Sequence, residues 1–222
     1  MTLTMGDQLV ETNGKRPPRV SPPPPPPIPN YDHFKLVLTW PPIYCKVYGC
    51  PKPAPMYLTI HGLWPSGTYS NPTNCDKTRF ITAGQWEDIL TSENQLNNFW
   101  PSLTAQTNKK FWEHEWLAHG TCSKELLRTI QYFSVTLKLY LNLKVQDLLK
   151  NTQLLAKPSA PKDDLVQAIH KITMFNPQIR CEKIGETEYL IEVRLCFTKS
   201  KTPQLMDCVG SFSNCYNEDV HF

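Results

Sequence analysis

The stretch from His114 to Cys122, HEWLAHGTC, holds two histidines, a glutamate and a cysteine within nine residues. Three chemistries use such a set: a metal centre, a nucleophile or an acid–base pair. A metal-binding HExxH helix carries its imidazoles one turn apart, so that both reach the same zinc ion. His114 and His119 are five residues apart, and at about 100° per residue they point roughly 140° away from each other on a regular helix. One ion cannot take both, and no metal is expected. Glu115 and His119 are four apart and fall about 40° from each other, a carboxylate beside an imidazole on one helical face. By itself this is as readily a surface pair as a catalytic one. A second stretch, TIHGLWP at Thr59 to Pro65, reads as a strand that delivers His61 to a glycine turn. Alone, His61 would be a packing histidine beside Trp64.

The elements that must position these groups come from a chain of 222 residues, 40% hydrophobic, enough for one large domain or two small ones. No apolar run approaches the length of a membrane span, so no membrane partner is expected. A net charge of +3 and an isoelectric point near 8.4 suit a polyanionic partner without identifying one. The eight cysteines form no CxxC and scatter from Cys45 to Cys215. That pattern reads as four disulfides made in an oxidising compartment rather than as zinc knuckles. The first twenty residues lack the continuous apolar core of a secretory leader, so the expectation is an extracellular protein whose signal is not visible in this sequence.

Residues 1–30 include SPPPPPPIPN, a polyproline run that cannot build a core and is expected to be a disordered tail. The domain is expected over 31–222. FKLVLTW alternates apolar Phe34, Leu36, Leu38 and Trp40 with Lys35, Val37 and Thr39, the pattern of a strand with one apolar face. PMYLTIHG reads as a second strand ending at His61. Helical patterns run from Gly84 to about Asn97, through NKKFWEHEWLAHG to a stop at Gly120, through KELLRTIQYFSVTLKLYLNL, and through PKDDLVQAIHKI with Asp163 or Asp164 near its start. EYLIEVRLCF alternates again. Strands at both ends around a helical middle predict a single α+β domain with a central, mainly antiparallel sheet packed by helices.

TIHGLWP and FWEHEWLAHGTC together resemble the paired active-site signatures of the T2 family of secreted ribonucleases, and LVLTWP, FWP at Phe99 to Pro101 and the late cysteines extend the resemblance from Tyr31 to Phe222. Within that family the chain is most similar to the plant branch, including the self-incompatibility ribonucleases of flower styles. The resemblance implies cleavage of single-stranded RNA with His119 as general base, His61 as general acid and Glu115 near the phosphoryl centre. Two histidines suffice for this, because RNA supplies its own nucleophile in the 2′-hydroxyl and imidazole titrates near pH 6.5. No cofactor is implied, and DNA is spared for want of the hydroxyl. His114 is implied to contact the phosphate, Trp100 and Phe111 to line the base pocket, and Ser102 and Leu103 to read base edges through their backbone. Thr39 stands where many relatives carry glutamine. The family's usual lysine before the second histidine is Ala118 here; losing one preorganised donor from such a site costs on the order of 10²- to 10³-fold in rate. Lys109, Lys110 and Lys124 are nearby substitutes in sequence, though none is at the right helical position. The implied disulfides are Cys45 with Cys50, Cys75 with Cys122, Cys181 with Cys215, and Cys196 with Cys208. A monomer is expected, with F-box proteins of pollen as partners if the role is self-incompatibility. A defence or phosphate-scavenging ribonuclease is the neighbouring role, and a storage or interaction protein that has lost useful catalysis is the rival from another class.

Overall fold

The computed structural model describes residues 30–68 and 71–222; apart from Asn30, the expected proline-rich tail lies outside the described residues. The strands are β1 (His33–Thr39), β2 (Thr59–Ser66), β3 (Ser159–Pro161), β4 (Gln178–Ile184), β5 (Thr187–Thr198), β6 (Leu205–Met206), β7 (Phe212–Ser213) and β8 (Asp219–His221). The helices are α1 (Pro41–Tyr48), α2 (Ala83–Leu90), α3 (Glu93–Phe99), α4 (Asn108–Ala118), α5 (Thr129–Asn142), α6 (Leu148–Asn151) and α7 (Lys162–Thr173). The sheet runs β2-β1-β5-β4-β7, with β6 and β8 on β5 and β3 on β8. Among the described residues, only the β4–β7 and β5–β8 pairings are parallel, so the expected α+β fold with a mainly antiparallel sheet is what forms.

The two faces of the sheet carry different chemistry. Phe34, Leu36 and Leu38 of β1 stand opposite Phe197, Leu195 and Val193 of β5 and opposite Pro65, Leu63 and Ile60 of β2. Apart from Pro65, these side chains and the α5 residues Tyr132, Phe133, Leu137 and Tyr140 belong to one buried cluster. The alternate positions bring Lys35, Val37 and Thr39 into register with Gly62 and Trp64 of β2 and with Glu192 and Arg194 of β5. This face is also enclosed: Val37, Thr39 and Glu192 are buried, which explains why β1 and β5 bury residues on both sides rather than in the clean alternation expected.

The strand bearing His61 departs from the expectation in a way that matters. Val37 pairs with Gly62 and Leu38 with Ile60, so His61 is the extra residue of a β-bulge inside β2 and not the last residue of a strand. A bulge leaves its extra residue unpaired and re-aims its side chain. The helical stretch from Gly84 to Asn97 is two helices, broken at Thr91 and Ser92, where the Thr91 hydroxyl donates to the Asp88 carbonyl. The long helix expected from Lys124 starts only at Thr129, because Leu126 and Leu127 donate their N–H groups to the Ser123 carbonyl in a turn. Helix α1 was not anticipated, although Pro41 and Pro42 at its first two positions are a recognised start signal.

The four disulfides pair as the resemblance implies, Cys45–Cys50, Cys75–Cys122, Cys181–Cys215 and Cys196–Cys208. The second fastens the loop at 74–76 to the turn that follows α4, where Asn74 N–H also donates to the Ala118 carbonyl at 2.7 Å and Lys124 pairs with Asp76 at 2.9 Å. Replacing Cys75 and Cys122 together with alanine is expected to cost about 2–5 kcal/mol in urea unfolding and to speed amide exchange at 119–122 far more than in β5. Equal acceleration in both places would show that this link does not hold the corner.

Candidate active site

His61 is placed from behind by its own backbone. Its carbonyl accepts the indole N–H of Trp100 at 2.8 Å, and the Trp100 carbonyl accepts that of Trp112 on α4 at 2.7 Å. Trp100 is fully buried, its ring packed near Tyr132 and Phe133. It therefore offers no free face to a base, and the base-pocket role implied for it is corrected to an anchor of the His61 strand.

In front, the imidazole lies between two buried carboxylates. Its Nε2 is 3.7 Å from Oε1 of Glu115, and its Nδ1 is 3.4 Å from Oε1 of Glu192. Glu115 is 1% exposed, and its Oε2 accepts the Trp64 indole N–H at 3.0 Å. Gly62 makes this approach possible, since a Cβ there would collide with Glu115 Oε2 and Trp64 Nε1. Helical spacing suggested Glu115 with His119, but His119 caps α4 with φ −124° and ψ −48° and leaves the helical path. Its ring stacks on Trp64 at 4.4 Å and 17°, while Trp64 meets His61 edge-on at 5.0 Å. One indole thus spaces the two histidines.

The two imidazoles sit in opposite electrostatic environments. For His61, burial is the largest influence and disfavours charge, but Glu115 and then Glu192 outweigh it and, against a smaller push from Arg194, raise its pKa. For His119, burial and the neighbouring His61 and His114 all act together and lower the pKa to about 3. Burial raises the Glu115 carboxyl despite His61 and Trp64. Burial acts likewise on Glu192, but His61, Arg194 and Arg180 overcome it and hold it down at about 2. The surroundings therefore favour the charged form of His61 and the neutral form of His119.

Beside His61 is a pocket of about 180 Å³ that includes His114, Ser102, Leu103 and Phe111 in its lining, with Thr39 and Thr59. The Phe111 ring lies 5.9 Å from that of His61. All the base-pocket positions other than Trp100 are thus brought together with His114. None of the lysines near Ala118 lines this pocket: Lys124 is paired with Asp76, and Lys109 sits over the Trp86 ring at 4.7 Å. Ala118 itself is buried at the last position of α4. Glu192 was missed in the sequence. Its alternation within EYLIEVRLCF, a charged residue in a buried strand, was the available signal.

Two histidines thus stand on either side of one indole, with a buried carboxylate between strand and helix and a pocket beside them. The ribonuclease T2 family model matches residues 31–208, and the chain belongs to that family as a T2-type ribonuclease. It is 33% identical over 204 residues to ribonuclease S-2 of Antirrhinum hispanicum, covering 86% of this chain and 82% of that one. It is 31% identical over 201 residues to ribonuclease T2 of Danio rerio, covering 86% and 80%. Ribonuclease MC1 from bitter gourd seeds superimposes with a TM-score of 0.74 at 27% identity, covering 86% of this chain and all of that one; a variant of that ribonuclease has been solved with 5′-UMP.

Gly62→Ala is expected to leave the domain folded, destabilise it by about 1–3 kcal/mol, and lower cleavage of RNA by at least about 10²-fold as Glu115 and Trp64 are displaced. Parent-like turnover in a folded Gly62→Ala protein would show that the close approach is not used.

Proposed function

We propose that the chain cleaves single-stranded RNA by transesterification. His119 takes the 2′-hydroxyl proton, the oxygen attacks phosphorus, and His61 protonates the departing 5′-oxygen. The product is a 2′,3′-cyclic phosphate. In the second step the roles reverse, His61 activating water and His119 returning a proton, to give a 3′-phosphate. Glu115 sits beside the reacting phosphate and holds His61 charged; His114 contacts the phosphate; Ser102, Leu103 and Phe111 receive a base. The observation that carries this reading is the placement of two histidines on either side of one indole, with His61 held between two buried carboxylates.

Ala118 favours a specific qualification, a slow enzyme. A phosphorane-like transition state gathers negative charge, and no lysine of α4 is placed to meet it. The protein acts outside the cell, in keeping with its four disulfides, and self-incompatibility is the setting its basic charge and S-type relatives suggest, with pollen F-box proteins as partners; defence or phosphate scavenging uses the same chemistry.

In EDTA, release of cyclic phosphate from a short single-stranded RNA is expected to fall at least ~10²-fold in His61→Ala and in His119→Ala; activity surviving in both would remove the proposal. Because the base must be neutral and the acid charged, kcat/KM should rise with pH through the His119 pKa, well below 6.5, and decline only through that of His61, above 6.5. A rising limb centred at 6.5 would contradict the assignment. Ala118→Lys is expected to raise turnover by roughly 10- to 10³-fold, and unchanged turnover would mean that the missing cation is not the handicap.

A further inference from the structure

We propose that Glu192 is the positioning residue of His61: its carboxylate, clamped by Arg194, fixes the ring and holds a proton on Nδ1, so that Nε2 is the nitrogen presented to substrate. The inference rests on the ribonuclease reading above and adds a residue to it.

The geometry is one-sided in the required way. Nδ1 is enclosed and makes no hydrogen bond of good alignment; its near acceptor is Glu192 Oε1 at 3.4 Å. Contacts of catalytic groups are often long in the free enzyme and tighten with substrate bound. The other oxygen of Glu192 is already committed, accepting from Arg194 Nε at 3.0 Å and from its Nη2 at 2.7 Å. Arg194 is held in turn through Nη1 by Gln178, whose Oε1 also accepts from Lys35 at 3.2 Å. The carboxylate is therefore oriented from behind and points its remaining oxygen at His61, with Arg180 at 3.6 Å on its flank. A carboxylate behind an imidazole selects its tautomer and orientation, as in other acid–base sites.

The charged and titratable groups facing His61 are Glu115 from α4, Glu192 and Arg194 from β5, and His119 beyond Trp64, with His114 of α4 and Tyr44 of α1 lining the same pocket and Arg180 of β4 reaching Glu192. Glu115 meets Nε2, the nitrogen that must give up its proton. Glu192 meets the nitrogen that keeps its own. Their tasks are separable by experiment.

The test is the pH profile of Glu192→Gln and Glu192→Asp against the parent, with Tm measured for each, and nitrogen-15 NMR of His61 in the parent protein. Glu192→Gln is expected to move the falling limb of kcat/KM about one unit down, so that activity near pH 8 drops roughly 10-fold while that near pH 5 changes less than about 3-fold. Glu192→Asp restores part of the shift. A role confined to pairing with Arg194 would lower Tm and leave the limb in place, which overturns the proposal. In the parent, neutral His61 should carry its proton on Nδ1; a proton on Nε2 overturns the proposal even where Glu192→Gln fails to fold. A parent that cleaves no RNA would end the ribonuclease reading, while the NMR tautomer would still decide the role of Glu192.

Discussion

The site depends on burying two carboxylates against one imidazole. Glu115 and Glu192 are 1% and 4% exposed, and a buried charge without a partner costs several kcal/mol. Glu192 is compensated by Arg194 and Arg180; Glu115 has the Trp64 N–H and, as its cationic partner in the site, His61. The protonated state of His61 is therefore tied to the solvation of Glu115: neutralising the ring strands a carboxylate, and protonating the carboxylate releases the ring. The bulge in β2 serves this coupling, because an in-register strand would direct residue 61 to one sheet face or the other and not into the gap between β5 and α4.

Indole N–H groups carry the remaining placement. Trp112 donates to the Trp100 carbonyl, Trp100 to the His61 carbonyl, Trp64 to Glu115, and Trp116 to the Arg79 carbonyl. Three of these rings are fully buried or nearly so, and the four spend their single donors on the Trp100 carbonyl, the His61 strand, the Glu115 carboxylate and the loop before α2. The apolar face of the sheet gives this frame its rigidity: α5 packs on it and sends the Tyr140 hydroxyl to the Leu58 carbonyl at 2.7 Å, just before β2 begins. Packing and the placement of His61 are thus linked through backbone carbonyls in and before its strand and not only through side chains.

The sequence singled out His61, Glu115 and His119 because they lie in two short runs whose residue types have few other uses together, and the fold brings the three together around Trp64. The β1, β5, α4 and α7 segments were legible from periodicity. What was hidden has physical reasons. A bulge has no periodic signature, so His61 was placed at a strand end. Helical spacing paired Glu115 with His119 because it presumes the helix continues, and the chain leaves it at residue 119. Trp100 is apolar and aromatic whether it stacks on a base or donates to a carbonyl, and only its burial separates the two. Glu192 sits far along the chain from both motifs and is joined to His61 by the β1–β5 register, which a single strand's pattern cannot contain.

Ala118 draws these threads into one electrostatic argument. A lysine next to His119 would add positive charge near two imidazoles and a buried carboxylate. It would stabilise the charged phosphorus centre, and by the same field it would compete with His61 for Glu115 and disfavour the imidazolium. With alanine at 118, and with Lys124 and Lys109 engaged elsewhere, Glu115 acts on His61 without that rival. Under the proposed mechanism the site gives up stabilisation of the transition-state charge, worth on the order of 10²- to 10³-fold in rate, and keeps a more firmly protonated acid. On that proposal proton transfer is preserved, and the step impaired is the build-up of charge at phosphorus.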